Sequence, residues 1–241
     1  MATLVIPEPT RSRTGPIEAL QILRNLHRRC GLKFAVLWLL QGTVCRVLRL
    51  RIVHIIMHDA QRRRMAEPLP PPGYDLSLAT REELARGVPD DPTFPDGATL
   101  QRYIDAGDLM IAAFHRGQIV SYGWCSSGPA DIGGGLTLSF GPRYLYGHRA
   151  YTSQRHRGKG LHAAIISYSR QVAKERGQIM VAYVDANNHR SLESESRVGK
   201  IRSGVVVIGL WPGKLRYWAS ALSCKAGLSL RRVPSIHNGR P

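Results

Sequence analysis

Arg155-His156-Arg157-Gly158-Lys159-Gly160, running on into Leu161-His162-Ala163-Ala164-Ile165-Ile166-Ser167-Tyr168, is the stretch from which the fold of this 241-residue chain can be read. Leu161, Ala164, Ile165, Tyr168 and Val172 recur at helical spacing, so a helix from Leu161 to Arg176, ended by Gly177, lays one face on a sheet. Behind it, the nearly all-apolar run Ile179–Val184 reads as a buried strand, parallel to the one that precedes the loop and joined to it by a right-handed crossover. Glycines at two alternate positions, arginines among them and a helix starting at once present unpaired backbone amides to an anion. The positive end of the helix dipole and the side chains of Arg155, Arg157 and Lys159 add to that attraction, and the chemistry it suits is phosphate.

Working outward, the strand before the loop is the aromatic-rich Tyr144–Thr152. A glycine-rich turn, Gly133–Gly135, and apolar Leu136–Phe140 come before it. Leu109–Phe114 and Ile119–Cys125, separated by Arg116-Gly117-Gln118, read as a hairpin. Further upstream, Tyr74–Leu78 reads as a short strand and Thr80 as the N-cap of a helix, with Glu83 completing a capping box. A second helix spans roughly Ala98–Ala106. Downstream lie a helix over Asn188–Val198, ended by Gly199, and strand-like Val205–Ile208 and Leu215–Ala219. The texture is that of an α+β domain.

The loop resembles a family. Arg155-x-x-Gly158-x-Gly160 is similar to the pyrophosphate loop, (Gln/Arg)-x-x-Gly-x-(Gly/Ala), of the GNAT superfamily of acyl-CoA-dependent N-acyltransferases. Asn188-x-x-Ser191 resembles that family's next helix, and Tyr74–Leu84 its opening strand and helix. The resemblance spans about residues 73–218. It implies a three-layer fold whose mixed, splayed central sheet, flanked by helices, parts between the strand ending near Thr152 and Ile179–Val184, with pantetheine in the gap. It also implies that the pyrophosphate sits on the amides of Arg157, Gly158, Lys159, Gly160 and Leu161, and the thioester carbonyl on an N–H near Tyr151 or Thr152. Asn188, with Ser191 behind it, would hold the pantetheine arm. The implied reaction moves an acetyl group from acetyl-CoA, or another acyl group from its acyl-CoA, to a primary amine by direct attack, with no metal.

Two roles stay open. Where many members place a tyrosine to protonate the departing thiolate, this chain has Glu195 between Ser194 and Ser196. For the base, His148 is the expected residue, because an imidazole titrates near neutral pH and alternation puts it on the same face as Tyr146. Tyr146, Tyr151 and Asp185 are the other candidates.

Charge and composition frame the alternatives. The chain carries 34 Lys/Arg against 17 Asp/Glu, a formal charge of +17, with 43% hydrophobic residues, which excludes general disorder and collagen-like sequence. The four cysteines, Cys30, Cys45, Cys125 and Cys224, have no metal-ligand spacing, and a reducing, cytoplasmic setting is expected. The sequence divides on this reading into a basic, apolar appendage with a proline-rich linker (1–72), the acyltransferase domain (73–218) and a basic tail (219–241). The appendage contains a helix over Ile17–Arg29, an apolar stretch Leu32–Leu50 and a strand-like alternation over Leu48–Met57. Phe34, Leu37, Trp38, Leu39 and Leu40 beside arginines make residues 17–58 a candidate for contact with the inner membrane surface. A non-catalytic binding module for membrane or nucleic acid is the alternative function, although no nucleic-acid motif is found. A dinucleotide-binding Rossmann unit, with Gly158-x-Gly160-x-x-Ala163 and Asp185 as its ribose acid, is weaker still. Only 56 residues follow Asp185, too few for the remaining βαβ units.

Overall fold

Apolar side chains at helical spacing build the first elements, α1 (Pro16–Cys30) and α2 (Leu32–Gly42), joined at Gly31, which has a φ of 102°. The computed structural model describes residues 16–43, 45, 48, 50–58, 69–88, 90–132, 135–198, 202–211 and 214–232. The expected glycines at 133, 134 and 199, most of the proline-rich linker and the last part of the basic tail lie outside these residues.

Next comes β1 (Leu50–His58), followed by β2 (Asp75–Leu78), α3 (Arg81–Arg86) and α4 (Gly97–Asp105). The capping box is present: Thr80 N–H donates to Glu83 Oε2 at 2.7 Å, and Glu83 N–H to Thr80 Oγ1 at 3.3 Å. Asp96 caps α4 by accepting from Thr99 N–H at 2.8 Å. The chain continues through β3 (Leu109–His115), β4 (Gln118–Ser126), β5 (Ala130–Asp131), β6 (Leu136–Ser139) and β7 (Tyr144–Thr152). It then enters α5 (Leu161–Glu175), β8 (Ile179–Asp185), α6 (His189–Arg197), β9 (Arg202–Trp211), β10 (Lys214–Ala219), α7 (Ala221–Lys225) and β11 (Ser229–Arg232).

Eight strands form a mixed sheet in the order β10-β9-β1-β8-β7-β4-β3-β2, and β11-β6-β5 form a second, small sheet. Among these pairings only β7 and β8 run parallel, as the crossover through α5 requires. Their pairing starts at Tyr144↔Ile179 and stops at Gly147↔Ala182, while β7 runs on to Thr152. Beyond Gly147 the outer edge of β7 has left β8, and the sheet is parted where the resemblance places the gap. At Gly147 itself a side chain would have to displace the end of the Met180 side chain, which packs over the fork.

The N-terminal segment is not an appendage. β1 lies between β8 and β9, registered as Val53↔Asp185 on one side and Val53↔Val206 on the other. Ile22, Leu26, Phe34 and Ala35 of α1 and α2 are buried against Ile56, Ala182, Val184 and Leu192. Burying side chains such as Ile22, Leu26 and Phe34 contributes about 2 kcal/mol each, which ties both helices to the sheet. The presumed tail is likewise built in as far as Arg232. β11 pairs with β6, and Leu230 packs with Leu136, Leu138, Val53, Ile55 and Tyr146 on the opposite face of the main sheet. The proline-rich stretch is therefore a connection within one fold.

Candidate functional site

The loop between β7 and α5 has the local geometry its glycines predict. Gly158 has a φ of 78° and Gly160 a φ of 81°, and a Cβ at either position would meet no heavy atom within 4 Å. Left-handed backbone turns the chain so that α5 starts at once, with Leu161 1% exposed beneath it and open space in front of the two glycines. Such a loop is suited to a pyrophosphate.

The loop's side chains are only partly directed at that space. Arg157 folds back, its Nε donating to the Thr152 carbonyl at 3.0 Å. Lys159 Nζ donates to the Tyr74 hydroxyl at 2.8 Å, and that hydroxyl also lies 2.8 Å from His156 Nδ1. Arg155 is exposed and, with Arg157, Tyr151, Ser153, Asp90 and Asp91, lines a concavity between the loop and the segment that joins α3 to α4. The strand leading in is fixed by Ser121, whose hydroxyl donates to the Tyr151 carbonyl at 2.8 Å and meets Thr152 Oγ1 at 2.7 Å. Tyr151 hydroxyl donates to the Asp90 carbonyl at 2.5 Å. Tyr151 thus anchors the loop before α4.

Between His148 and Tyr151 the β4–β7 register slips. Trp124 is opposite His148 and Tyr122 opposite Tyr151, so Arg149 and Ala150 together face Gly123. Arg149 takes a φ of 45°, unusual for a side chain with a Cβ. This bulge lies on the stretch of β7 that has parted from β8, and a bulge of this kind leaves backbone polar groups outside the ladder.

His148 sits just before the bulge with its side chain 4% exposed. Its ring stacks on Tyr146 at 5.4 Å between centroids and meets the Tyr103 ring edge-on at 5.7 Å. Burial lowers its pKa to about 4, with the nearby Arg149 charge adding to the effect, so the ring is neutral at pH 7. The closest acid is Asp108, whose Oδ2 is 3.9 Å from His148 Nε2. Sequence reading had no means of finding Asp108, because it stands alone before β3 and meets His148 only through sheet pairing.

The remaining expected residues are placed as follows. Tyr146 is 2% exposed on the same face as His148, beside Phe140. Glu195 is engaged elsewhere: its Oε2 lies 2.6 Å from Nε2 of His58, the last residue of β1, and both side chains are about 95% buried. Asn188 caps α6, its Oδ1 accepting from Ser191 N–H at 3.1 Å. Asp185 is held by Arg51, Nε to Oδ1 at 2.7 Å and Nη2 to Oδ2 at 2.9 Å, so it does not present a ribose-binding carboxylate. The loop, Thr152, the bulge, His148 and Tyr146 are therefore brought together along β7. Asn188 and Ser191 sit at the head of α6, after β8, and Glu195 lies two turns along that helix.

With this geometry established, comparison with known proteins gives one family. A family model described as the acetyltransferase (GNAT) family matches residues 76–194. Among solved structures, the chain is similar to a GNAT-family acetyltransferase from Colwellia psychrerythraea, at 13% identity and a TM-score of 0.48, over 65% of this chain and 54% of that one. It therefore spans about half the length of that protein. A GCN5-related N-acetyltransferase-like protein from Streptococcus suis gives 15% identity and a TM-score of 0.45 over 73% of this chain and 67% of that one. The acetyltransferase yncA of Salmonella typhimurium, described as solved with acetyl-CoA, gives 14% and 0.41 over 70% and 98%. No curated protein matches the chain.

Proposed function

The chain carries an acetyltransferase domain of the GNAT family at residues 76–194, and on that premise we propose that it transfers an acyl group, acetyl in the simplest case, from acyl-CoA to a primary amine. One observation carries the reading. Two glycines in left-handed backbone, with empty space before them, head α5 at the point where β7 and β8 separate. A diphosphate fits that cradle, because exposed amides and a helix N-terminus favour negative charge and no side chain blocks the approach. On this reading the amides of Arg157 to Leu161 hold the pyrophosphate and Arg155 supplies countercharge. Asn188 and Ser191, at the start of α6, steady the pantetheine arm with what their mutual hydrogen bond leaves free.

Acyl-CoA brings an activated carbonyl, and the protein supplies three things around it. An N–H of the bulged segment near Tyr151 or Thr152 stabilises the carbonyl oxygen as it gathers negative charge. His148, neutral at pH 7, can accept the proton that the attacking nitrogen must lose. Glu195 and His58 share a short contact at the helix position from which a proton could return to the departing sulfur.

Titration calorimetry of the full chain with acetyl-CoA, with NADH as control, tests the reading. Saturable acetyl-CoA binding that disappears in Gly158→Glu is expected, because the added carboxylate fills and repels the cradle. A folded protein that binds no acetyl-CoA would overturn it.

A second observation bears on location. Leu32, Val36, Leu39 and Leu40 recur along one side of α2 and are 38–64% exposed, while Ile17 and Leu20 of α1 are exposed by 60% or more. With arginines on α1 and a chain charge of +17, this surface is suited to an anionic membrane, peripheral rather than spanning. No helix among the described residues is long and apolar enough to cross a bilayer.

A further inference from the structure

Half of the buried side-chain polar atoms that lack a hydrogen-bond partner among the described residues gather in one place. They are Asp108 Oδ1, Trp124 Nε1 and both ring nitrogens of His148. Trp124 is fully buried, and the side chains of Asp108 and His148 are 5% and 4% exposed. Leaving one such group unpaired costs about 1–3 kcal/mol, and four together are tolerated when something absent from the folded chain completes them. The chemistry of that missing group can be read from its surroundings.

Asp108 is the charged member. His148 stands 3.9 Å away, and no lysine or arginine among the described residues pairs with it. A buried carboxylate with no cation calls for a cationic ligand that also donates hydrogen bonds. The walls agree. Tyr103 meets Trp124 at 5.0 Å and His148 at 5.7 Å, and Tyr146 stacks on His148, so the cluster is walled by aromatic rings, which attract an ammonium. It also adjoins the bulge at Arg149, where the carbonyl would be activated.

We propose that Asp108, Trp124 and His148 form the subsite for the acceptor's primary alkylammonium group. Asp108 takes its N–H donors and sets its position, and His148 lies beside the same nitrogen. The fate of the amine rests on the acyltransferase reading, whereas its binding here does not. Asp108 is a positioning and binding residue that no sequence motif marks.

The test uses the full chain labelled with 5-fluorotryptophan, the Trp124 fluorine resonance being assigned by Trp124→Phe. Titration with butylammonium chloride should shift that resonance saturably, while 1-butanol, of the same shape without the charge, and potassium chloride should not. Asp108→Asn, which keeps size and shape, should weaken the butylammonium response ~10-fold or more. An equal response to butanol would reduce the site to an apolar cavity. No response in folded protein, or an unchanged response in Asp108→Asn, would mean that water alone completes the cluster; each of these outcomes overturns the proposal. Acetyl-CoA calorimetry on the same sample separates the two readings, because butylammonium binding without acetyl-CoA binding leaves the subsite standing and removes the acyl donor.

Discussion

Arg51 and Asp185 meet side-on across neighbouring strands, two parallel hydrogen bonds of 2.7 and 2.9 Å joining the N-terminal segment to the end of β8. Arg51 also lies 5.2 Å from the centre of the Tyr183 ring. A residue outside the matched region thus fixes the end of β8, three residues before Asn188. Each side chain is about 30% exposed, so Arg51→Ala should cost only about 1 kcal/mol in urea unfolding. Removal of the whole segment is a different matter. A chain beginning at residue 73 loses β1 from between β8 and β9, and should fail to give a cooperative unfolding transition by circular dichroism.

Two buried histidines make the fold acid-sensitive. Burial lowers both His54 and His148 to about 4, His54 stacking on Phe34 with neither ring nitrogen partnered. Above an unfolded pKa of about 6.5 both states are neutral and these rings add no pH dependence. Between 6.5 and about 4 the unfolded chain binds protons that the folded chain refuses, so stability falls as pH falls, by up to about 1.4 kcal/mol per pH unit for each ring. Urea midpoints measured from pH 7 to pH 5 should decline, and His54→Phe should flatten that decline.

The His58–Glu195 pair locks α6 to β1. Because both groups are buried, Glu195→Ala strands an imidazole and should cost about 3 kcal/mol, read from the denaturation midpoint. Glu195→Gln keeps a hydrogen-bonding partner and should cost less.

Flotation with vesicles checks the membrane surface. The full chain should float with anionic vesicles and not with zwitterionic ones, and Val36→Glu with Leu39→Glu should reduce recovery several-fold while changing stability by no more than about 1 kcal/mol, since both side chains are about half exposed.

What could be read from sequence follows the range of the signal. The loop, α5 and β8 were legible because glycine spacing, helical periodicity and an apolar run are local patterns, and the capping box at Thr80 and Glu83 is local too. β1 was not: Leu48, Leu50 and Ile52 alternate with arginines like a strand, yet nothing near them says that their partners lie at 179–185 and 202–211. The proline-rich stretch suggested a boundary, and the positive charge of the C-terminal residues suggested a tail, although Leu230 is buried. At the site, His148 could be chosen by alternation along its own strand. Trp124 of β4 and Asp108, just before β3, reach it across the sheet, so their meeting depends on register, which is a property of the folded sheet.

The position of β1 has a consequence in time. It is synthesised early, but both of its neighbours emerge from the ribosome more than a hundred residues later. Until β8 has been made, a nine-residue strand that is mostly apolar has no edge to join, and until β9 follows, one of its own edges stays open. Folding must therefore wait for the C-terminal third of the chain, and pairings of such long sequence separation form slowly. A ribosome-stalled or prematurely terminated product would display that strand unpaired, making it a ready target for chaperones and a source of aggregation. The arrangement leaves the fork between β7 and β8 without its full supporting sheet until β1 is enclosed between β8 and β9.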